Sequence, residues 1–151
     1  MSTYLLDTNF LIYLSDEQSD ADKRKLVLQQ MAEKLAEDDA KFVLTPLIRY
    51  EVLRGVEWQN TDKLATLKHV LEKFESLDIT QDVSDLAMNL YRFDKFQAAQ
   101  SQQPKNLDKR KFDMFHYATA AVNELAILSH DSDIEKIETL HQQFLKHIQA
   151  A

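Results

Sequence analysis

The chain has 151 residues, of which 44% are hydrophobic and 28% are charged. A length near 150 residues predicts a single domain, residues 1–151, that buries one hydrophobic core. The 25 acidic residues outnumber the 18 basic ones, for a formal net charge of −7. The chain therefore cannot bind nucleic acid through an overall positive charge. Any binding of nucleic acid would require a local basic patch, divalent cations or a basic partner protein.

Cysteine is absent, and glycine occurs only once, as Gly55. The absence of cysteine excludes disulfides and thiolate metal sites and predicts a cytoplasmic location. We expect neither a signal peptide nor a membrane span. The N-terminus lacks a basic region, Asp7 and Asn9 interrupt its apolar stretch, and no apolar run reaches about 18 residues. Scarce glycine and proline favour long helices over an all-β fold.

Short apolar runs alternate with helical patterns along the N-terminal half. The predicted elements are a strand over about Thr3 to Leu6, a helix to Leu14, a helix over Ala21 to Glu37, a strand over Lys41 to Leu44, and a helix from Pro46 to Trp58. Thr45 followed by Pro46 predicts an N-cap with proline at the first helical position. Asn60 and Thr61 predict the cap of the next helix, which carries apolar residues from Leu64 to Phe74.

The C-terminal half continues the alternation. The predicted elements are a short strand at Leu77 and Ile79, a long helix from Thr80, a polar loop from Ser101 to Lys111, a helix over Phe112 to Glu124, a strand over Ala126 to Ser129, and a final segment with helical spacing. Strands that alternate with helices indicate crossover connections. The sequence therefore predicts an α/β fold whose parallel sheet is covered by helices on both faces.

Two carboxylates occupy positions that an ordinary solvated surface does not explain. Asp7 stands directly inside an apolar run, at the carboxyl end of the first predicted strand. Glu51 falls on the apolar arc of its helix, where an acid is costly unless it is paired or bound to a cation. Its interpretation stays open between a metal ligand and a salt bridge, formed either with Arg49 or Arg54 of the same helix or with a neighbour. The residues that share its arc are Leu47, Ile48, Gly55 and Trp58.

Three further acids lie near element ends, where capping is the simplest interpretation. Asp113 opens a helix, and Asp131 and Asp133 follow the fourth predicted strand. The carboxyl ends of parallel strands share one sheet edge, so Asp7, Glu51, Asp113 and Asp131 are able to converge there. Clustered carboxylates need protons or cations to relieve their repulsion. Oxygen ligands without cysteine select Mg²⁺ or Mn²⁺, a site suited to phosphoryl chemistry.

Four segments together resemble the four acidic motifs of the PIN-domain ribonucleases, and the chain length is similar to that of the VapC-type toxins of toxin–antitoxin pairs. The segments are Leu5 to Asn9, Thr45 to Gly55, Asp113 to Ala120, and Ile127 to Asp133. The resemblance implies a three-layer α/β/α fold with a small central parallel sheet of four to five strands. It also implies an Mg²⁺- or Mn²⁺-dependent endoribonuclease in which activated water leaves 5′-phosphate and 3′-hydroxyl ends.

The resemblance also assigns roles to residues. It places Asp7, Glu51, Asp113 and Asp131 as catalytic metal ligands, and Thr8, Asn9, Ser129 and Asp133 as supporting residues. His116 is expected to be an ordinary helix histidine, with metal or phosphate binding as the less favoured alternative. Cations that either touch RNA phosphates or remain solvated are Arg54, Lys105, Lys109, Arg110 and Lys111. The implied partners are the RNA substrate, an antitoxin protein and a second copy of the chain.

Two alternatives lack RNA hydrolysis. One is a receiver-like or binding module whose acidic pocket holds Mg²⁺; a receiver needs an aspartate after its third strand, whereas Asp78 falls within the predicted strand. The other is a catalytically silent PIN-like domain that serves as a platform for a partner protein. Both keep the acidic pocket, so only an assay of RNA cleavage separates them from the nuclease.

Overall fold

A computed structural model describes residues 2–102, 107–129 and 132–150, except for the side chain of Lys109. Their strands are β1 (Thr3–Leu6), β2 (Lys41–Leu44), β3 (Glu75–Ser76) and β4 (Ala126–Leu128). Their helices are α1 (Thr8–Ser15), α2 (Ala21–Leu35), α3 (Pro46–Arg54), α4 (Thr61–Leu71), α5 (Gln81–Ser101), α6 (Lys111–Asn123) and α7 (Asp133–Ala150), with a 3₁₀ turn at Leu107–Arg110. None of these helices has the length and apolar character needed to cross a membrane.

The chain forms two compact units. The first unit comprises residues 1–78 and 125–130, and the second comprises residues 79–124 and 131–151. The first unit therefore contains all four strands together with α1 to α4, whereas the second contains α5 to α7. The assignment of residues 1–151 to a single domain stays a prediction.

The sheet of the first unit is parallel and has the strand order β3-β2-β1-β4. β1 is a central strand, with Leu5 opposite Val43 of β2 and Ile127 of β4. Leu5 and Leu6 are completely buried. Parallel strands covered on both faces have such continuous apolar runs, so the local pattern located β1 correctly.

Helix starts in the structure agree with the capping residues of the sequence. The side chains of Thr45, Asn60 and Thr80 accept hydrogen bonds from the backbone N–H groups of Ile48, Lys63 and Val83, respectively. These bonds satisfy N–H groups that have no partner within the helix. Thr45 thereby fixes the start of α3, the helix that carries Glu51.

The predicted third strand at Leu77 and Ile79 was wrong in position. β3 is Glu75–Ser76, paired with Val43 and Leu44 of β2, and the N–H of Leu77 donates a last bond to the Leu44 carbonyl. Ile79 instead packs against the core of the second unit. Its apolar character therefore reflects helix packing rather than a strand.

The predicted extension of α3 to Trp58 was also wrong. The helix ends at Arg54, Gly55 is its C-cap, and the N–H of Val56 bonds to the Leu53 carbonyl in a tightened last turn. Trp58 lies beyond this turn and is 93% exposed, so it does not share an apolar arc with Glu51.

The core of the second unit is formed where α5, α6 and α7 pack on one another. Its buried residues are Val83, Ala87, Leu90, Phe93, Met114, Ala118, Ile137 and Leu140. Ile137 and Leu140 have the helical spacing expected of the C-terminal segment. That segment is helix α7.

A tyrosine–histidine pair joins α6 to α7 within this unit. The Tyr117 hydroxyl lies 2.7 Å from Nδ1 of His141, and the two rings meet edge to face. Burial, together with the Glu138 carboxylate, raises the pKa of Tyr117, whereas burial lowers the pKa of His141. Both shifts favour the neutral forms, so the Tyr117 hydroxyl donates to an unprotonated imidazole.

The pair predicts a loss of stability in mild acid. His141 protonates near pH 6.5 in the unfolded chain but only at lower pH in the folded protein, because its folded pKa is depressed. The free energy of unfolding should therefore fall as the pH drops below about 6.5. Urea denaturation at about pH 7.5 and about pH 5 measures the change in the free energy of unfolding between the two pH values. This change should be smaller for His141→Gln than for the unchanged protein. The matched control His69→Gln, at an exposed position of α4, should leave the difference unchanged.

Candidate functional site

Asp7 connects β1 to α1, and its carboxylate is nearly fully buried, with 1% exposure. Its N–H donates to the Leu128 carbonyl at 3.0 Å, which extends the pairing of β1 with β4 by one residue. Asp7 occupies the N-cap position of α1, yet its side chain makes no capping hydrogen bond. Capping therefore does not explain a carboxylate at this buried position.

Ser129 follows β4 directly, and its hydroxyl donates to Oδ2 of Asp7 at 3.0 Å. A hydrogen bond to an ionised acceptor is about twice as strong as one between neutral groups. The bond fixes one oxygen of the Asp7 carboxylate at the carboxyl end of the sheet. The structure therefore places Ser129 in contact with Asp7, and its supporting role stays a prediction.

Glu51 lies on α3 between the buried residues Ile48 and Val52, with its own side chain only 12% exposed. The Thr8 hydroxyl donates to its Oε1 at 3.1 Å. Arg54 Nη2 lies 3.9 Å from Oε2, and the Arg54 side chain is 49% exposed. An ion pair of this length and exposure contributes little, so it does not account for the position of Glu51.

The first unit consequently brings four of the predicted residues together. Asp7 and Thr8 are consecutive, Ser129 bonds to Asp7, and Glu51 bonds to Thr8. Asn9 lies half-buried in the first turn of α1. The cluster pairs two carboxylates with two hydroxyl donors, and a hydroxyl that bonds to a carboxylate holds it in a defined orientation, as the outer groups of metal sites do.

In the second unit, Asp113 lies in the first turn of α6, where the helix dipole favours an acid. His116 follows one turn later, is 1% exposed, and has a ring nitrogen within 4.8 Å of a carboxylate oxygen of Asp113. The two donor atoms are close enough to contact one ion. The i, i+3 spacing was the available sequence signal for this pair, although the sequence favoured an ordinary role for His116.

Two other acids of the second unit, Asp133 and Asp94, lie near cationic side chains. Asp133 begins α7, and its Oδ1 lies 3.6 Å from Nζ of Lys136. Asp94 on α5 is 1% exposed and lines a cavity of about 290 Å³ together with Arg110 and Lys136. Asp94 was not among the residues predicted from the sequence. The signal was its helical spacing from the buried Leu90, the same argument that singled out Glu51.

The predicted phosphate-binding cations are only partly described. Arg54 is exposed, Arg110 is half-buried, and Nζ of Lys111 lies 5.5 Å from the centre of the Phe112 ring. The predicted residues Asp131 and Lys105 lie outside the described ranges, as does the side chain of Lys109. Their roles stay predictions.

The sequence matches the PIN domain family over residues 4–140. The chain belongs to the PIN domain family. The match confirms the predicted family and the predicted fold class, a three-layer α/β/α fold with a central parallel sheet of four strands. A comparison with curated protein sequences gave no significant match.

Solved structures with the same fold include toxin–antitoxin complexes. The VapBC2 complex of Rickettsia felis, bound to a DNA fragment from its promoter, is 14% identical with a TM-score of 0.60, covering 89% of this chain and 92% of that chain. A toxin–antitoxin complex of Klebsiella pneumoniae is 20% identical with a TM-score of 0.57, covering 85% and 87%. VapBC-1 of nontypeable Haemophilus influenzae is 14% identical with a TM-score of 0.60, covering 91% and 92%. At these identities the likeness concerns the fold alone.

The bond between Ser129 and Asp7 can be tested by a double-mutant cycle. Ser129→Ala should lower the free energy of unfolding by about 1.5–3 kcal/mol, because a buried charged acceptor loses a donor. In an Asp7→Asn background, the same substitution should cost about half as much, since the bond is then between neutral groups. Urea denaturation measures all four proteins.

The matched control is Ser84→Ala, at an exposed position of α5, which should change stability by less than about 0.5 kcal/mol. Equal costs of Ser129→Ala in both backgrounds would show that the hydroxyl does not sense the charge of Asp7.

Proposed function

We propose that the protein is an Mg²⁺- or Mn²⁺-dependent endoribonuclease and the toxin of a toxin–antitoxin pair. The observation that carries the proposal is the buried Asp7 carboxylate, which lies at the carboxyl end of a central strand and bonds to Ser129 rather than capping α1. Open α/β sheets place their ligands at this edge. Membership of the PIN family supports nuclease chemistry at that position.

The oxygen donors at this position are of the type that a hard divalent cation prefers. Asp7 and Glu51 supply carboxylate oxygens, and hydroxyl groups of Ser129 and Thr8 hold those carboxylates in place. Oxygen ligands of this kind suit Mg²⁺ and Mn²⁺ better than metals that prefer sulfur. When bound, the ion supplies activation of water and neutralisation of charge on the phosphate. Asp113 and Asp131 are included in the proposed ligand set only because of their positions in the acidic motifs.

The residues of the chain have separate tasks in this proposal. Asp7 and Glu51 would hold the cation at the edge of the sheet, where their low exposure limits competition from bulk water. Ser129 and Thr8 orient the carboxylates before RNA arrives, which reduces the reorganisation needed during the reaction. Arg54 lies beside Glu51 and faces solvent, so it is placed to contact a backbone phosphate.

An antitoxin protein is the proposed partner. Three solved structures with the same fold are VapBC or toxin–antitoxin complexes, which supports a partner of this kind. The homodimer and the cytoplasmic location stay predictions.

The proposal predicts metal-dependent cleavage that requires Asp7. Purified protein should cleave single-stranded RNA in Mn²⁺ or Mg²⁺ and stop when a chelator is added. Asp7→Asn, Glu51→Gln and Asp113→Asn should abolish cleavage, because each removes a charged ligand. Ser129→Ala should lower the rate about 10–100-fold, the usual cost of losing an outer-shell partner. Gel analysis of end-labelled RNA measures the rates and identifies the expected 5′-phosphate and 3′-hydroxyl ends.

Asp85→Asn, at an exposed position of α5, is the matched control and should cleave normally. Circular dichroism checks that each variant is folded. Full activity of the Asp7→Asn protein, or cleavage that persists in chelator, would refute the proposed mechanism. A folded protein that binds metal without cleaving any RNA would favour the catalytically silent PIN-like module.

A further inference from the structure

Trp58, the single tryptophan of the chain, is the most exposed large hydrophobic side chain of the described residues, at 93%. It lies in the turn that follows α3, where the N–H of Asn60 bonds to the Glu57 carbonyl. Tryptophan is usually highly buried, and its large flat ring favours contact with another planar group. A ring held on a turn in solvent is thus available to a partner.

Two residues at the end of α3 add an aromatic ring and a cation. Tyr50 is 53% exposed, and the Arg54 guanidinium lies 5.5 Å from the centre of its ring. This cation–π contact orients the guanidinium while half of the Arg54 side chain remains in solvent. Trp58 is four residues further along, so its Cα lies within about 15 Å of that of Arg54. Tyr50, Arg54 and Trp58 are called the aromatic–arginine patch below.

Arg54 connects the patch to Glu51. Arg54 Nη2 is 3.9 Å from Oε2 of Glu51, and both residues belong to α3. Single-stranded nucleic acids are held by exposed aromatic rings that stack on bases and by cations that contact phosphates. We propose that the aromatic–arginine patch binds unpaired RNA next to Glu51, with a base stacked on Trp58 and a phosphate on Arg54. This inference rests on the proposed ribonuclease function and adds a binding surface for the RNA strand beside Glu51.

Tryptophan, tyrosine and arginine are also frequent in protein interfaces, but the charge of the patch favours RNA. Arg54 provides a positive charge on a chain with a net charge of −7, beside a proposed catalytic carboxylate. A cation at this position suits the phosphate of an RNA strand bound beside Glu51.

The single tryptophan allows a direct test. The whole protein is titrated with a single-stranded oligouridylate of about 12 nucleotides, and separately with an RNA duplex of the same length. Ca²⁺ serves as the divalent ion, and a gel confirms that the RNA stays intact, so binding is measured apart from cleavage. Stacking should quench the fluorescence of Trp58 with the single strand and much less with the duplex.

Variants assign the binding to the patch. With labelled oligouridylate, Trp58→Ala should weaken binding about tenfold, whereas Trp58→Phe should retain most of the affinity because it keeps a stacking ring. Arg54→Gln should weaken binding and reduce the slope of log affinity against log salt by about 0.7, the value for one lost phosphate contact on a single strand. The matched controls Phe96→Ala and Lys68→Gln, both at exposed positions, should bind as the unchanged protein does.

The inference is overturned if the single strand leaves Trp58 fluorescence unchanged, or if Trp58→Ala and Arg54→Gln bind it normally. A blue shift of the emission on adding a partner protein, without any response to RNA, would identify the patch as a protein interface instead. RNA cleavage that is unaffected in both variants would overturn the inference while leaving the proposed function intact. Patch-dependent binding without cleavage in Mn²⁺ would support the binding site and reject the proposed nuclease.

Discussion

The parallel pairing of β1 with β4 is the constraint on which the candidate site depends. Tyr4 lies opposite Ala126 and Leu6 opposite Leu128, and the N–H of Asp7 extends this ladder to the Leu128 carbonyl. The register delivers Ser129 to Asp7, although the two are 122 positions apart in the sequence. Side chains alternate between sheet faces, so a slip of one residue would turn Ser129 away from the carboxylate.

The same pairing keeps a carboxylate in a position that is unfavourable for stability. Burial disfavours the ionised form of an acid, and Asp7 does not use its side chain to cap α1. Hydroxyl donors offset part of this cost: Ser129 for Asp7, and Thr8 for Glu51. Departures from ordinary stability rules concentrate at functional sites, so the buried Asp7 carboxylate is the feature that marks this edge of the sheet as the position of the proposed chemistry.

Features encoded by a few neighbouring residues were predictable from the sequence. The apolar run of β1, the cap at Thr45 and the acid that ends β1 each depend on local spacing, and the structure contains all of them. The same local pattern indicated that Glu51 lies on a buried face of α3, even though one of the neighbours assigned to that face, Trp58, lies outside the helix.

Features that depend on tertiary packing were not predictable in the same way. Ile79 alternates with polar neighbours as a strand residue does, yet it packs against the helical core of the second unit. Strand β3 lies earlier in the chain than predicted, at Glu75–Ser76. Gly55 ended α3 one turn earlier than the apolar pattern suggested, and this left Trp58 in solvent. His116 and Asp94 are both buried, at 1% exposure. Their burial depends on tertiary packing, which a single sequence does not specify.

Binding of a divalent cation by the carboxylates at the edge of the sheet can be measured by isothermal titration calorimetry with Mn²⁺ in the absence of RNA. We expect the unchanged protein to bind Mn²⁺. We expect Asp7→Asn and Glu51→Gln each to weaken binding at least about tenfold, because each removes a charged oxygen ligand. Equal Mn²⁺ affinity in the unchanged protein and both folded variants would contradict this expectation.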